Sequence, residues 1–253
     1  MLYTFSMDFI VIGLVAFSAS LLTFFSGFGL GTLLLPAFAL FFPTQVALLA
    51  TGVVHLLNNV FKGTLVRKLV DWSTVYRFGV PALFTAILGA YLLTYLDGRV
   101  ASIVIGFILI VFALLELQPW FQRLTFPKRY IPLGGLLTGF MGGLSGQQGA
   151  IRSMFLLKSD FDAKQYIATG VLIAILIDVA RIPTYILGLA DISTEQITHR
   201  NLALIGFGTV CAFTGALLGA KYMKKTSIGV IRYIVAGLMV TIGTLLIFGV
   251  IGG

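Results

Sequence analysis

Long runs of apolar residues, separated by short polar stretches, dominate the pattern along this chain. Most runs have the length of a transmembrane helix, which needs about 20 apolar residues to cross the hydrocarbon core of a bilayer. Two runs, 33–42 and 151–157, are too short for a comfortable crossing, and each follows a glycine-rich stretch. The predicted apolar segments are 9–25, 33–42, 46–61, 78–96, 100–117, 131–144, 151–157, 166–189, 202–220 and 229–251. The pattern predicts an all-α, polytopic membrane protein.

Composition supports this class. The 253 residues are 58% hydrophobic and 10% charged, whereas a soluble domain is usually about 25% charged. No polar stretch is long enough to fold separately, so we expect a single membrane domain over 1–253. The formal net charge of +8 falls mainly in short loops, as the positive-inside rule predicts, and we expect no nucleic-acid partner.

The beginning of the chain and its single cysteine argue against three further features. Residues 1–8 carry no Lys or Arg, so we expect no cleaved signal peptide. Cys211 is the only cysteine, and it predicts neither an intramolecular disulfide nor a metal site.

The second half of the chain repeats the plan of the first. Ser26-Gly27 matches Ser145-Gly146, the stretch 50–53 matches 168–171, and 84–90 resembles 213–220. Three matches in the same order favour a duplication. We therefore divide the domain into repeat 1 at about 8–118, a linker at 119–130 and repeat 2 at about 131–253.

Corresponding loops differ in charge, which predicts that the two repeats are inverted in the membrane. The basic loop 62–77 corresponds to 191–200, which carries acidic residues, and the tight turn 97–99 corresponds to the basic loop 221–232. Because basic loops stay in the cytoplasm, we expect both termini outside and the linker inside. Each repeat then contains either three full helices plus a re-entrant hairpin or five crossings, and the sequence leaves both open.

Each repeat contains a glycine-broken segment, and we expect the binding site at these two breaks. Non-helical backbone and charge at membrane depth persist only where they line a cavity or are buried in protein. Paired breaks in two halves are typical of transporter binding sites. The candidate substrate-binding residues are Gly27, Gly29, Gly31, Ser145, Gly146, Gln147, Gln148, Gly149 and Arg152.

Arg152 is the strongest candidate for holding an anion. Its permanent charge and planar fork suit an oxyanion, and a helix beginning after the break offers free backbone N–H groups. Alternatively, Arg152 extends to the cytoplasmic interface or pairs with Asp160 or Asp162. Gln147 and Gln148 offer uncharged amide donors for an anion, and they equally suit a hydrogen bond between helices.

Polar residues in or next to two apolar segments are candidates for gating or proton coupling. They are His55, Asn58, Asn59, Lys62, Asp178 and Arg181. Asp178 and Arg181 are three residues apart and can pair on one helix face, as a structural ion pair or as a gate or proton site. His55 is a candidate proton carrier because histidine changes charge near neutral pH. A neutral histidine bonded between helices is the alternative.

The two halves, each opening with a glycine-rich break and a short helix, resemble the sulfite exporter TauE/SafE family of membrane permeases. The first half fits that pattern over 27–36, Gly-Phe-Gly-Leu-Gly-Thr-Leu-Leu-Leu-Pro. The second half resembles a variant branch, since it has Gly149-Ala150 in place of a run of glycines and no proline after it. The resemblance covers nearly the whole chain and implies transport of small sulfur-containing anions such as sulfite, sulfonates or thiosulfate.

These features predict a secondary transporter, an exporter or permease, that binds a small anion at the two breaks near the membrane midplane. There is no nucleotide-binding loop, metal-ligand cluster or nucleophile–base pair, so we expect no catalysis, cofactor or metal. Transport would then be passive or use an ion gradient, with protons as the first candidate. A passive anion channel and a non-transporting membrane scaffold are the alternatives.

The expected surroundings follow from this function. The partners would be a small anionic substrate, the lipid bilayer and protons as the coupling ion, and a homodimer is compatible with the sequence. We expect a multi-pass protein of the cell (inner) membrane.

Overall fold

A computed structural model describes residues 6–26, 30–156, 161–188, 198–222 and 228–252, and it is built from helices. The α-helices in this part of the chain are α1 (Met7–Ser26), α2 (Leu30–Ala39), α3 (Thr44–Val66), α4 (Trp72–Thr94), α5 (Gly98–Leu117), α6 (Pro119–Arg123), α7 (Ile131–Ser145), α8 (Gly149–Leu156), α9 (Ala163–Gly188), α10 (His199–Tyr222) and α11 (Ile228–Phe248). Short 3-10 helices at Arg67–Leu69 and Lys128–Tyr130 precede α4 and α7. The predicted all-α class is confirmed.

Five of the described helical stretches are long and apolar enough to cross a membrane. They are Thr44–Leu69, Trp72–Thr94, Gly98–Leu117, Lys164–Gly188 and His199–Lys221. Met7–Leu22, Leu30–Ala39 and Tyr233–Phe248 are shorter apolar helices. The chain is therefore a polytopic membrane protein, as its hydropathy predicts.

The basic connection between α3 and α4 is shorter than predicted. The carboxylate of Asp71 accepts a hydrogen bond from the backbone N–H of Thr74 at 3.0 Å, so α4 begins at Trp72 rather than near residue 78. An N-terminal cap of this kind satisfies a donor that the first helical turn leaves free. As a result Lys62 and Arg77, expected in a loop, both lie in helices.

Glycines let three helix pairs pack closely: α4 with α7, α1 with α10, and α5 with α11. A Cβ added to Gly139 of α7 would overlap the carbonyl oxygen of Ala82 in α4, and Gly135 and Gly143 make the same kind of approach one turn away. Gly215 of α10 approaches the backbone of α1 in the same way. Small residues at such positions allow helix backbones to approach closely in a membrane.

Two helix pairs, α3 with α9 and α5 with α11, run antiparallel where they pack. Gly63 of α3 lies beside Val171 near the beginning of α9, whereas Gly52 lies beside Ile182 near the end of α9. In the same sense, the guanidinium of Arg99 at the beginning of α5 donates to backbone carbonyls at the end of α11. Thus α3 is antiparallel to α9, and α5 is antiparallel to α11.

Each short helix after a glycine break folds back along the helix before it. Ile12 of α1 and Phe38 of α2 both lie against Gly208 of α10, so the beginning of α1 and the end of α2 are at the same level. Likewise, Gly134 near the beginning of α7 lies against Phe155 near the end of α8. The pairs α1–α2 and α7–α8 are hairpins, and their tips, within the described residues, are the beginning of α2 at Leu30 and the connection 145–149 between α7 and α8.

Candidate functional site

The tips of the two hairpins meet inside the molecule. A Cβ on Gly31, at the beginning of α2, would lie 3.6 Å from the carbonyl oxygen of Gly146. The hydroxyl of Thr32 donates to Oε1 of Gln147 at 3.1 Å. Gly146 ends α7 with φ of 75°, a left-handed conformation that glycine adopts without steric cost. This contact joins the first break to the second.

Asp178, fully buried on α9, is the centre of the polar cluster beside these tips. One carboxylate oxygen, Oδ2, lies 2.6 Å from Nδ1 of His55. The other, Oδ1, accepts from Nε2 of Gln148 at 3.3 Å and from Nε of Arg181 at 2.9 Å. Nδ2 of Asn59, one turn after His55, lies 3.1 Å from Nδ1 of the imidazole. The carboxylate thus connects α3, α9 and the second break.

Arg181 holds the end of α7. Its Nη1 donates to the carbonyl oxygen of Gly142 at 3.0 Å, and the hydroxyl of Tyr185, one turn further along α9, donates to the carbonyl of Gly143. A cation at the end of a helix is favourable because the helix dipole is negative there. Gly52 of α3 leaves room for the guanidinium, since a Cβ there would be 3.5 Å from Nη2.

Arg152 lies on α8 with its guanidinium against α9. A Cβ on Gly170 would be 3.5 Å from its Nε. The guanidinium is close enough to interact electrostatically with Lys62 and Asp178. Asp162, one of the carboxylates considered as its partner, caps α9 by accepting the backbone N–H of Gln165 at 2.7 Å.

Lys62 and Asn58 extend the cluster along α3, where both are almost completely buried. With the Asn58 amide oriented to satisfy both of its ends, its oxygen accepts from Nζ of Lys62 at 3.1 Å. Its nitrogen then donates to the carbonyl of Ala212 at 3.2 Å and to the Ser20 hydroxyl at 3.1 Å. Lys62 is therefore held inside the helix bundle.

Two buried N–H donors of the second hairpin have no hydrogen-bond partner within the described part of the chain: Nε2 of Gln147 and Nη1 of Arg152. Nη2 of Arg181 lies 2.9 Å from Asp178 but makes no hydrogen bond. Buried donors without partners carry a desolvation cost of about 1–3 kcal/mol each. Such donors favour binding of a ligand that supplies hydrogen-bond acceptors.

Charge at the site favours the same kind of ligand. The cluster brings together three basic side chains, Lys62, Arg152 and Arg181, and one carboxylate, Asp178. The two guanidiniums stay protonated and by themselves outnumber the carboxylate, so an excess of positive charge remains, which an anion would balance in a medium of low dielectric constant. The site is chemically suited to bind a small anion.

The remaining predicted residues have structural contacts or lie outside the described residues. The Ser145 hydroxyl donates to the carbonyl of Met141 at 3.0 Å. Gly149 begins α8, and its carbonyl accepts from the Ser153 hydroxyl at 2.9 Å. Gly27 and Gly29 of the first break are outside the described residues, and so is Asp160.

The sequence did not identify the contacts of Thr32 and Tyr185, although each of these residues follows a predicted site residue within one helical turn. Thr32 comes directly after Gly31, and Tyr185 lies four residues after Arg181. Gly52 and Gly170 were part of the internal repeat, but the sequence did not show that each lies against a guanidinium.

Comparison with protein families agrees with the fold and with the resemblance noted in the sequence. The family described as Sulfite exporter TauE/SafE matches residues 12–246. No match was found among curated proteins or among solved structures. Because this match covers nearly the whole chain, the chain belongs to the sulfite exporter TauE/SafE family, a family of membrane transporters.

Proposed function

We propose that this protein is a secondary transporter, an exporter or permease, of a small sulfur-containing anion such as sulfite, a sulfonate or thiosulfate. The family supports anion transport. The observation that carries the proposal is a pair of buried, unpartnered N–H donors on the second hairpin, Nε2 of Gln147 and Nη1 of Arg152. A single oxyanion offers several acceptors, so it can satisfy donors from more than one side chain.

The site residues have distinct roles in this proposal. Arg152 and Gln147 contact the anion, while Gln148 and Arg181 place the tip of the second hairpin. The glycines at positions 31, 146 and 149 let the backbone turn and approach the substrate, and Ser145 fixes the end of α7. Gly27 and Gly29 stay candidate binding residues by their place in the first glycine-rich stretch. The polar residues of α3, namely His55, Asn58, Asn59 and Lys62, form the opposite wall.

The same proposal includes an inverted repeat with two re-entrant hairpins. Its support is the antiparallel packing of corresponding helices and the folding back of α2 and α8 along their preceding helices. Hairpins entering from opposite faces would bring both glycine breaks to one level inside the membrane. This arrangement would place the anion between the two repeats, where alternating access can act.

Proton coupling would operate through His55 and Asp178. The Asp178 carboxylate is an internal anion that occupies donors of Gln148 and Arg181. A proton taken up at the His55–Asp178 contact removes one negative charge from the site, so protonation and anion binding would favour each other. The other charged groups that face this carboxylate are Arg181 on its own helix and Arg152 on α8.

A thermal-shift screen of the purified protein in detergent tests the substrate class. Sulfite, sulfate, thiosulfate, an alkyl sulfonate and a carboxylate would be compared at equal ionic strength. We expect at least one sulfur oxyanion to raise the melting temperature of wild type more than the carboxylate does, because binding to the folded state stabilises it. Equal shifts for all five anions would reject a specific site and leave only a salt effect.

Uptake into proteoliposomes separates a carrier from a passive anion channel. We expect the initial rate to saturate with anion concentration and to change when an inside–outside pH difference is imposed. A rate that stays linear with concentration and ignores the pH difference would support the channel. A membrane scaffold would give neither uptake nor anion-dependent stabilisation.

A further inference from the structure

An apolar groove lies between α5 and the second hairpin, and its lining includes none of the proposed anion-binding residues. It encloses about 270 Å³. Its walls include Phe112 on α5, Leu137 on α7 and Phe155 on α8. The groove opens beside Leu137, which is 46% exposed. Since α5 is long and apolar enough to cross a membrane, the medium beside this face is the hydrocarbon of the bilayer.

The linker contributes aromatic side chains to the groove lining, and basic residues follow them closely in the sequence. Phe121 and Phe126 line the groove, and the ring of Phe126 stacks on Phe155 with centroids 4.5 Å apart. Arg123 follows Phe121 by two residues, and Arg129 follows Phe126 by three. Both arginines are exposed.

The linker is anchored, so the basic and apolar parts keep a fixed relation. The backbone N–H of Phe126 donates to the carbonyl of Met154 at 3.0 Å. The guanidinium of Arg129 lies over the ring of Tyr130, 4.8 Å from its centroid. Aromatic rings and arginines at the end of membrane helices mark the depth of the lipid headgroups.

We propose that this groove binds one anionic phospholipid. An acyl chain lies in the apolar groove between α5 and α7, and the phosphate meets Arg123 and Arg129 at its end. An uncharged apolar molecule would fill only the groove, and a free phosphate would bind only the arginines. A groove and arginines that lie close together in the chain favour a molecule with both an apolar chain and a phosphate. The expected cytoplasmic position of the linker agrees with this ligand, because anionic lipids are concentrated in that leaflet.

Native mass spectrometry of the purified full chain measures this binding directly. Phosphatidylglycerol, phosphatidylcholine with the same acyl chains, and glycerol phosphate would each be titrated into the detergent-solubilised protein. We expect one phosphatidylglycerol to be retained at concentrations where neither phosphatidylcholine nor glycerol phosphate is. Arg123→Gln with Arg129→Gln should weaken retention about tenfold or more.

Two matched controls distinguish binding at a specific site from nonspecific electrostatic attraction to basic residues. Arg67→Gln with Lys68→Gln removes the same charge from exposed positions at the same end of the bundle, and we expect unchanged retention. Leu137→Trp should block the groove, whereas Leu133→Trp changes a residue of the same helix with nearly equal exposure, 45%, outside the groove lining.

Several results would overturn the proposal. One is equal retention of phosphatidylcholine, because the headgroup would then not be recognised. Others are equal weakening by the Arg67 and Lys68 changes, or an unaltered affinity in Leu137→Trp. Retention of glycerol phosphate alone would identify a phosphate site without a lipid.

Discussion

At the scale of single residues, Arg152 combines a buried unpartnered donor with a fixed charge. We expect anion affinity to depend on the planar shape of its guanidinium as well as on its charge. Arg152→Lys keeps the charge but cannot meet two oxygens at once. A lost charge-assisted hydrogen bond is worth about 1.5–3 kcal/mol, roughly ten- to a hundredfold in affinity. Anion-induced stabilisation should therefore fall in Arg152→Lys and fall further in Arg152→Gln. Equal stabilisation of all three proteins would make Arg152 an interfacial anchor.

Asp178 and Arg181 give a second prediction at this scale. Both are completely buried, so removing one partner leaves the other charge uncompensated, at a cost of about 3–5 kcal/mol. Asp178→Asn should reduce the yield of folded protein, and adding Arg181→Gln should restore part of it, measured by size-exclusion chromatography in detergent. If Asp178→Asn folds normally and its uptake loses pH dependence, the carboxylate is a proton site instead. Normal folding with unchanged uptake would exclude both roles.

The sequence was sufficient to find the charged residues of this cluster, because a charge within an apolar segment is conspicuous. It did not predict that His55 contacts Asp178, since 123 residues separate them. Nor did it identify Thr32, because one hydroxyl in an apolar helix is ordinary and becomes informative only when its neighbour Gln147 is known.

At the scale of elements, glycine spacing rather than hydrophobicity determines how closely the helices pack. Gly139→Ala would place a methyl group against the carbonyl of Ala82, and overpacking of this kind costs about 1–3 kcal/mol. Gly206→Ala is the matched control, because a Cβ there meets nothing within 4 Å and alanine favours a helix by about 0.5–1 kcal/mol. The two changes should shift the melting temperature in opposite directions. A lowered value for both would contradict the packing argument.

Most helices were predictable from apolar run length, but their ends were not. The start of α4 was misplaced by six residues because the cap at Asp71 has no hydrophobic signature. For a related reason, the sequence does not distinguish re-entrant hairpins from full crossings. A short apolar run does not reveal whether the chain continues across the membrane or turns back, which depends on contacts such as that between Gly134 and Phe155.

At the scale of the whole molecule, inversion of the repeats predicts which connections face which side. In a Cys211→Ser background, a cysteine at Lys68 should react with an impermeant reagent only from the cytoplasmic side. A cysteine at His199, in the corresponding connection of the other repeat, should react only from outside. Lys128 and Gly98 provide a further inside and outside pair. Reaction of positions 68 and 199 from the same side would show that the repeats are parallel.

The main helix pairs join the first half of the chain to the second: α4 to α7, α1 to α10, and α5 to α11. This interleaving affects the order of events during synthesis. When α3 enters the membrane, its buried His55 still lacks Asp178, which is encoded 123 residues later. At roughly 5–20 residues per second, the ribosome needs about 6–25 s to supply that partner. During that interval the polar face of α3 has to be covered by the insertion machinery or by lipid headgroups. The first half of the chain, made alone, would leave these polar groups unpaired and would be recognised by quality-control proteases.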